Sequence, residues 1–518
     1  MTPALEPTDA VLALTGRDLT VWDVARVARD HARVALAPEA LARVRASREA
    51  VERMLAEDRV VYGITTGFGF MKDRRISPEQ VAELQANLVR SHAAGVGEPL
   101  PTSVVRAMLL LRINALARGF SGVRPEVLDL LVELLNRDVH PRIPAQGSVG
   151  ASGDLAPLSH LALVLMGEGL AEVRGMVLPG ADALEVAGLA PVTLQAKEGL
   201  ALINGTQAMG AMGCLALEAA RNLAKVADLA AACTVEALLG SHAPFAAAVH
   251  ALRPHRGQLA SARNVSRLLA GSRLVDTHRD CGQVQDGYSL RCVPQVHGAT
   301  RDTIAHAREV FTTEINAVTD NPLIFAERDE AVSAGHFHGQ PLALPLDFLC
   351  IAMAELANIS ERRTERLVNP ALSNGLPAFL VASPGLHSGL MVAQYTAAAL
   401  VSENKVLCHP ASVDSIPTSA GQEDHVSMGT AGARKLLRVI AHTTQVLAIE
   451  LMCAAQALDL RGPVPSGKGV EAARQAIRAV VPHLEADRVL SPDLQVLAER
   501  VEDGSLAAAV EAVVGPLE

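Results

Sequence analysis

The sequence has 518 residues and a formal net charge of −10, from 46 Lys and Arg against 56 Asp and Glu. With 49% hydrophobic and 20% charged residues it can bury a large core, which excludes a disordered chain and a disulfide-stapled mini-protein. The sequence has no cluster of Lys and Arg that could neutralise the phosphates of a nucleic acid, and its aromatic content of 3% offers few surfaces on which bases could stack. Nucleic-acid binding is therefore not expected. The length suggests about three or four domains, unless one large helical unit takes all of it.

The cysteines and the N-terminus indicate a cellular compartment. Seven cysteines, Cys281 among them, are dispersed without a C-x-x-C pair, which predicts reduced thiols rather than disulfides or a zinc site. Residues 1–7 have no basic start and no apolar segment, so no signal peptide is expected. No charge-free stretch is long enough to cross a bilayer. We therefore expect a soluble, cytoplasmic protein.

In chain order, the pattern predicts a smaller mixed region over residues 1–200 and helices over residues 201–518, with a soft boundary between them. Apolar residues at steps of three or four predict a helix over Thr303 to Val318. A second helix begins near Pro345 and ends before Asn369. A third runs over residues 430–461, roughly 48 Å at 1.5 Å per residue, with Gly462 as its stop. The predicted fold is mainly α, a long-helix bundle in a homo-oligomer.

The stretch 147–157, G-S-V-G-A-S-G-D-L-A-P, lacks the spacing of a phosphate loop or a dinucleotide turn. Its ordinary interpretation is a tight turn that uses the permissive backbone of glycine. The tripeptide Ala151-Ser152-Gly153 also allows a chemical interpretation, cyclisation of its own backbone. The Gly153 nitrogen can attack the Ala151 carbonyl carbon, and loss of water from the ring and from Ser152 would leave an electrophilic exomethylene group. Asp154 has two interpretations, assistance in ring formation and an ordinary helix N-cap.

Five ordered motifs resemble the histidine and aromatic amino acid ammonia-lyases, whose prosthetic group is 4-methylidene-imidazol-5-one (MIO). The resemblance covers roughly residues 60–461. The stretches S-H-A-A-G-V-G at 91–97, S-E-N-K at 402–405 and Q-E-D-H-V-S-M-G at 422–429 resemble the histidine-specific members in particular. The five motifs are Y-G-I-T-T-G-F-G at 62–69, the loop 147–157, I-N-G-T at 203–206, Q-D-G-Y-S-L-R-C at 285–292 and N-A-V-T-D-N-P at 316–322.

The resemblance implies an activity: non-oxidative deamination of L-histidine to trans-urocanate and ammonia, the first step of histidine degradation. The group would be MIO, formed from Ala151, Ser152 and Gly153, with no dissociable cofactor. Attaching the amine to such an electrophile makes it a better leaving group. The resemblance also implies a tetramer whose active sites are shared between subunits, with Ser152 and Arg291 from different protomers.

The resemblance further implies residue roles. Tyr62 is the favoured base, with Tyr288 as the other candidate. A guanidinium holds a carboxylate bidentately, so Arg291 is the natural clamp for the substrate carboxylate. The remaining members of the predicted site lie beside the MIO or line the pocket: Asn204, Gln285 and Phe337.

Substrate choice rests on His92 and Glu423, which the resemblance places at the substrate ring. An imidazole needs hydrogen-bond partners, whereas a phenyl ring prefers apolar walls. The corresponding positions of phenylalanine ammonia-lyases resemble an apolar residue and a glutamine, so the pair favours histidine. Tyrosine ammonia-lyases also have a histidine near position 92, which makes Glu423 the more discriminating residue. Taken alone, each would be interpreted as a surface side chain.

Two alternatives stay open. One is a tyrosine or phenylalanine ammonia-lyase or a 2,3-aminomutase that uses the same MIO. The other is a catalytically silent helical assembly protein, against which the intact tripeptide, Tyr62 and Arg291 argue.

Some positions depart from the family pattern. His336 stands where many members have asparagine, and Gly421 stands where asparagine commonly precedes Gln-Glu-Asp. His336 and His338 form an H-x-H pair without a third ligand, so no metal is expected. Cys292 has no base near it in sequence and is interpreted as a packing residue.

Overall fold

The computed structural model describes residues 11–77, 80–278, 282 and 284–518, so Cys281 and residues 1–10 lie outside the described part. Helices dominate this part, which confirms the predicted mainly α fold. The α-helices are Val21–Arg29, Pro38–Ala56, Val81–His92, Thr102–Leu116, Pro125–Asn136, Leu155–Leu165, Gly180–Val186, Glu198–Ile203, Gln207–Ala237, Ala247–Ala251, Arg256–Leu268, Tyr288–Arg291, Val293–Glu314, Gln340–Val368, Met391–Leu407, Gly429–Leu460, Lys468–Arg478, Ser491–Glu502 and Ser505–Val514. Short 3-10 turns lie at Gly69–Met71, Ala243–Phe245, Leu274–His278, Ala326–Arg328, Ala378–Leu380 and Ser419–Gly421.

The strands are short, and most of them lie in the predicted mixed N-terminal region. Leu12–Leu14 pairs in parallel with Val34–Leu36, and Val96–Pro99 pairs antiparallel with Pro144–Gln146. The remaining strands form an antiparallel three-stranded sheet and an antiparallel pair. The three-stranded sheet contains His140–Pro141, Leu170–Val173 and Met176–Pro179, and the pair is Leu323–Phe325 with Glu330–Val332.

The chain divides into two compact units, each built from separate stretches of sequence. The first unit combines the chain up to Leu215 with Arg308–Asp347 and Pro410–Arg434. The second combines Ala216–Ala307, Phe348–His409 and Lys435–Glu518. The division into residues 1–200 and 201–518 stays a prediction about folding domains.

The three predicted helices are present with shifted ends. The helix Val293–Glu314 begins before the predicted Thr303 and ends before Val318. Asn316 instead bonds through its side chain to both backbone groups of Leu19, at 2.9 and 2.8 Å, so a tertiary contact replaces the last helical turn. Pro345 lies inside the helix Gln340–Val368 rather than at its start. The third helix, Gly429–Leu460, agrees with its prediction within one residue at each end.

Two helices, Gln340–Val368 and Gly429–Leu460, are apolar and long enough to cross a membrane by length and composition. About two thirds of the apolar stretch of each, 67%, is buried inside the protein. Core helices of globular proteins show the same burial, so these helices are weak evidence for a membrane span. No disulfide joins the six cysteines of the described residues.

The helix Thr102–Leu116 forms the centre of the first unit. Every residue from Val104 to Leu116 is buried, including Arg106, Arg112 and Asn114. Buried polar groups need hydrogen-bond partners, and Arg112 bonds through Nη1 to the backbone oxygen of Asn204 at 2.7 Å. This helix thereby supports the segment that faces the predicted catalytic loop.

Buried ion pairs stabilise the second unit. The carboxylate of Asp228 contacts His297 Nδ1 at 2.7 Å and Arg301 Nη2 at 2.6 Å. Burial alone would raise the pKa of Asp228, but Arg301 and His297 outweigh burial and lower it. The guanidinium of Arg363 forms a bidentate pair with Glu450 at 2.5 and 2.8 Å. Removing one partner of such a buried pair costs about 3–5 kcal/mol.

Candidate active site

The predicted tripeptide lies in the loop between the strand Pro144–Gln146 and the helix Leu155–Leu165. The turn at Asn204 and Gly205 contacts this loop within the tripeptide and directly after it. Asn204 Nδ2 donates to the backbone oxygen of Ser152 at 3.0 Å, and the backbone N–H of Asp154 donates to the oxygen of Gly205 at 2.7 Å. The loop is therefore held in a compact conformation from outside.

Close approach explains the glycine at position 153. Its φ is +74°, and a Cβ there would stand 2.1 Å from the backbone oxygen of Gly205. Only glycine tolerates both conditions, and the missing side chain also leaves its nitrogen unhindered. Asn204 Oδ1 is buried and has no hydrogen-bond partner among the described residues. The tight glycine and the unpaired polar atom both fit a ring built from this backbone.

The structure corrects one of the two interpretations of Asp154, that of an N-cap for its own helix. The helix Leu155–Leu165 has no side-chain cap from Asp154. The buried carboxylate instead accepts hydrogen bonds from the backbone N–H groups of Ala208 and Met209, both at 2.9 Å, in the first turn of Gln207–Ala237. Burial raises the pKa of Asp154, while hydrogen bonds that include those from Ser148 and Thr430 oppose this change. Asp154 thus caps a helix that is remote in sequence and ties the loop to it.

Two adjoining cavities in the first unit open onto Ser152. They have volumes of about 740 and about 620 Å³. His92 lines the larger cavity and Phe337 the smaller one. The predicted site residues Tyr62, Ser152, Asn204 and Glu423 line both.

The carboxylate of Glu423 contacts the tripeptide directly. Ser152 Oγ donates to Glu423 Oε1 at 2.7 Å, and Thr418 Oγ1 donates to Oε2 through a short hydrogen bond. Between Thr418 and Glu423 the chain turns through left-handed residues, including Gly421 at φ +83°. Glycine and asparagine are the residues that adopt this conformation most readily, which explains how Gly421 replaces the usual asparagine.

His92 ends the helix Val81–His92 with one ring nitrogen already engaged. Its Nδ1 lies 2.9 Å from the backbone oxygen of Leu88 and 3.0 Å from Ser91 Oγ. A carbonyl oxygen can only accept, so Nδ1 is the donor, and in the neutral ring Nε2 is then an acceptor. His92 can therefore accept a hydrogen bond from a substrate ring N–H.

Tyr62 is half-buried on the Gly-rich loop. Its hydroxyl oxygen accepts a hydrogen bond from the backbone N–H of Gly69 at 3.2 Å, and its ring meets Phe68 edge-on. Burial raises the pKa of Tyr62, the Gly69 hydrogen bond lowers it, and the charge of Glu423 raises it further. The phenol is therefore protonated at neutral pH in this arrangement.

Within the pair His336 and His338, the ring of His338 bonds to backbone groups of the protein. His338 Nε2 lies 3.1 Å from the backbone oxygen of His425, and its Nδ1 accepts from the N–H of Gln340 at 3.2 Å. Both ring nitrogens of His338 are thus used within the protein. Across the described ranges, no group of three or more His, Cys, Asp or Glu is arranged to hold a metal ion.

Gln285, Tyr288 and Arg291 belong to the second unit. Tyr288 is 71% exposed, and Gln285 is exposed as well. The Arg291 guanidinium lies over the Tyr288 ring at 4.7 Å and donates from Nε to the oxygen of Asp286 at 3.0 Å. Cys292 is half-buried beside them. The roles of these residues stay predictions.

Two residues of the site were not predicted from the sequence. Arg112 holds the Asn204 turn, and burial lowers its pKa to about 10. An arginine inside the apolar run A-M-L-L-L-R-I was a usable signal, since a buried charge needs a structural reason. Thr418 had no such signal, because only the turn brings its hydroxyl to Glu423.

The chain is similar to known proteins over nearly its whole length. Residues 19–479 match the family model described as aromatic amino acid lyase. The chain is 62% identical to a histidine ammonia-lyase of Gloeobacter violaceus, over 98% of this chain and 99% of that protein. The crystal structure of the Trypanosoma cruzi histidine ammonia-lyase matches with a TM-score of 0.91 and 44% identity, over 97% and 96% of the two chains. A tyrosine aminomutase of Streptomyces globisporus matches with a TM-score of 0.94 and 40% identity, over 98% and 100%.

The matched family and the relatives define a carbon–nitrogen lyase. The chain belongs to the aromatic amino acid lyase family, since the family model and the relatives cover almost all of its length. The ammonia-lyases of this family are known to use MIO.

Proposed function

We propose that this chain deaminates L-histidine to trans-urocanate and ammonia. The observation that carries the proposal is the hydrogen bond of 2.7 Å between Ser152 and Glu423, because it joins the electrophile-forming residue to a carboxylate. A carboxylate beside the reacting centre suits a ring N–H and disfavours a phenyl ring. The histidine ammonia-lyases among its relatives support the same substrate.

The reactive group would be MIO, made from Ala151, Ser152 and Gly153. Its chemistry when formed is electrophilic capture of the substrate amine, which improves the leaving group. Asn204 Nδ2 already donates to the Ser152 oxygen at 3.0 Å, and this contact would draw electron density from the same centre.

Tyr62 is the proposed acceptor of the substrate β-proton, with Tyr288 as the second candidate. Tyr62 lines both cavities beside Ser152, but its raised pKa keeps it protonated. It therefore needs a nearby positive charge before it can act as a base. Lys72 lines one of the same cavities, and Arg291 of the partner subunit would add a second cation in the assembled enzyme.

His92 and Glu423 would hold the imidazole ring, and Phe337 would pack against the substrate from the adjoining cavity. Both polar groups offer acceptors, so either can take the N–H that an imidazole ring presents. A phenyl ring would leave these acceptors unpaired, at a cost of about 1–3 kcal/mol.

The carboxylate clamp is proposed to come from the partner subunit of a homotetramer. Gln285 and Tyr288, the neighbours of Arg291 in the sequence, are exposed on the second unit, where another copy of the chain could contact them. The second unit also exposes apolar side chains that suit burial between copies. These are Phe348, Ile351, Val392, Tyr395 and Val406.

We further propose that the reaction takes place in the cytoplasm, as the first step of histidine degradation. Cysteines without disulfides support a reducing compartment.

The experiment is to incubate the purified protein separately with histidine, tyrosine and phenylalanine and to record ultraviolet absorbance. A conjugated acrylate from histidine, at a kcat/KM above that for the other two, is expected. Chiral amino-acid analysis of the same mixtures tests the second candidate, a 2,3-aminomutase, which the structural match to a tyrosine aminomutase favours. A β-amino acid as the main product would favour the aminomutase. No acrylate from histidine would refute the first proposal.

A further inference from the structure

The two oxygens of the Glu423 carboxylate have separate donors. Oε1 accepts from Ser152 Oγ at 2.7 Å, whereas Oε2 accepts from Thr418 Oγ1. We propose that Thr418 is a positioning residue for ring recognition, which fixes Glu423 through Oε2 so that Oε1 faces the substrate imidazole. This inference rests on the proposed function.

The backbone around Thr418 is arranged for this contact. The N–H of Thr418 donates to the oxygen of Glu423 at 3.0 Å, and the N–H of Glu423 donates back to the oxygen of Thr418 at 3.3 Å. Such a reciprocal pair places two side chains next to each other. The turn between them is held from outside by Lys72 Nζ, which donates to Gln422 Oε1 at 2.8 Å.

Formation of the MIO ring would remove the hydrogen-bond donor of Glu423 Oε1 and leave the donor of Oε2 in place. Ser152 loses its Oγ together with its Cα hydrogen as one water, and ring closure between Gly153 N and the Ala151 carbonyl carbon releases a second. The Ser152 hydroxyl is then gone, so Oε1 loses its donor and becomes an acceptor for a ring N–H. Thr418 is unchanged by these steps and continues to hold Oε2.

The contribution of Thr418 should therefore appear in recognition of the ring. A hydrogen bond to a charged group is worth about tenfold to a hundredfold in binding. Without it the carboxylate can rotate away from the ring, and the loss falls on imidazole ligands alone. Ligands with a phenyl ring make no use of Oε1 and should not respond.

The test measures inhibition constants of 3-(imidazol-4-yl)propionate and 3-phenylpropionate, which lack the amino group and do not react. Thr418→Val removes the hydroxyl while keeping the shape, and Thr418→Ser keeps the hydroxyl. The matched control is Thr312→Val, because Thr312 is exposed and its hydroxyl donates to the oxygen of Arg308 within its own helix, at 2.7 Å. Intact mass of each variant reports whether two waters have been lost.

We expect Thr418→Val to mature fully, to bind the imidazole ligand about tenfold to a hundredfold more weakly, and to bind the phenyl ligand as before. Thr418→Ser should restore the imidazole affinity to within about threefold, and Thr312→Val should match the wild type. If Thr418→Val does not fold, Thr418→Ala tests the same hydroxyl.

Three results would overturn the proposal: an unchanged imidazole affinity in the folded variant, equal losses for both ligands, or no rescue by serine. Failure of the proposed function is a separate result, because it would appear as a wild-type protein that does not deaminate histidine. If the wild type deaminates histidine but Thr418→Val binds the imidazole ligand as tightly as the wild type, only the positioning role is refuted.

Discussion

Replacing Gly153 by alanine should stop formation of the electrophile while leaving most of the fold intact. The added Cβ would stand 2.1 Å from the oxygen of Gly205, more than 1 Å inside ordinary van der Waals contact, which begins at 3.4 Å. The neighbouring turn would have to retreat by about 1 Å, and the hydrogen bond of 2.7 Å from the N–H of Asp154 to Gly205 would break.

The expected cost combines two effects. A left-handed backbone at a residue with a Cβ costs about 1–2 kcal/mol, and a buried hydrogen bond left unmade adds about 1–3 kcal/mol. A local penalty of about 2–5 kcal/mol opens the compact loop, because the clash falls on the turn that clamps it. The Gly153 nitrogen then moves away from the Ala151 carbonyl carbon, and the ring does not close.

Intact mass spectrometry is the assay. The wild type should weigh two waters less than its sequence, whereas Gly153→Ala should keep the full mass and lose activity. Gly175→Ala is the control, since Gly175 has nearly the same φ, +75°, and no atom within 4 Å of the added Cβ. It should mature normally at a cost of about 1–2 kcal/mol. A Gly153→Ala protein that also loses two waters would refute the argument from close contact.

The remaining predictions concern chemistry, specificity, pH and assembly. Ser152→Ala should fold but lose activity by about a thousandfold or more, with no water loss in its intact mass. The pair His92→Leu and Glu423→Gln should lower kcat/KM for histidine and raise it for phenylalanine, and an unchanged ratio would reject the ring assignment. Burial and the charge of Glu423 raise the pKa of Tyr62, and the base form is the phenolate. kcat/KM for histidine should therefore rise with pH on the alkaline side, and Glu423→Gln should move that rise to lower pH. Co-expressed Ser152→Ala and Arg291→Ala chains with two tags should form hybrids with part of the wild-type activity, and inactive hybrids would reject sites shared through this pair.

The sequence by itself determined the elements that depend on local chemistry. The helix Gly429–Leu460 was predicted within one residue at each end, because a stop signal such as the glycine at 462 acts over a short distance. The tripeptide at 151–153 was recognisable for the same reason, since ring closure involves atoms of neighbouring residues only. Family motifs then supplied candidates such as Glu423, but not their partners.

Only the tertiary structure decided which residues meet. Ser152 and Glu423 are 271 positions apart, and no local pattern predicts the 2.7 Å between their side chains. One of the two interpretations of Asp154 was the cap of its own helix, yet its carboxylate caps the helix that begins at Gln207. Thr418 reaches Glu423 only because left-handed residues turn the chain back between them. Such contacts depend on how distant segments pack, and packing is a property of the whole folded chain rather than of any window of sequence.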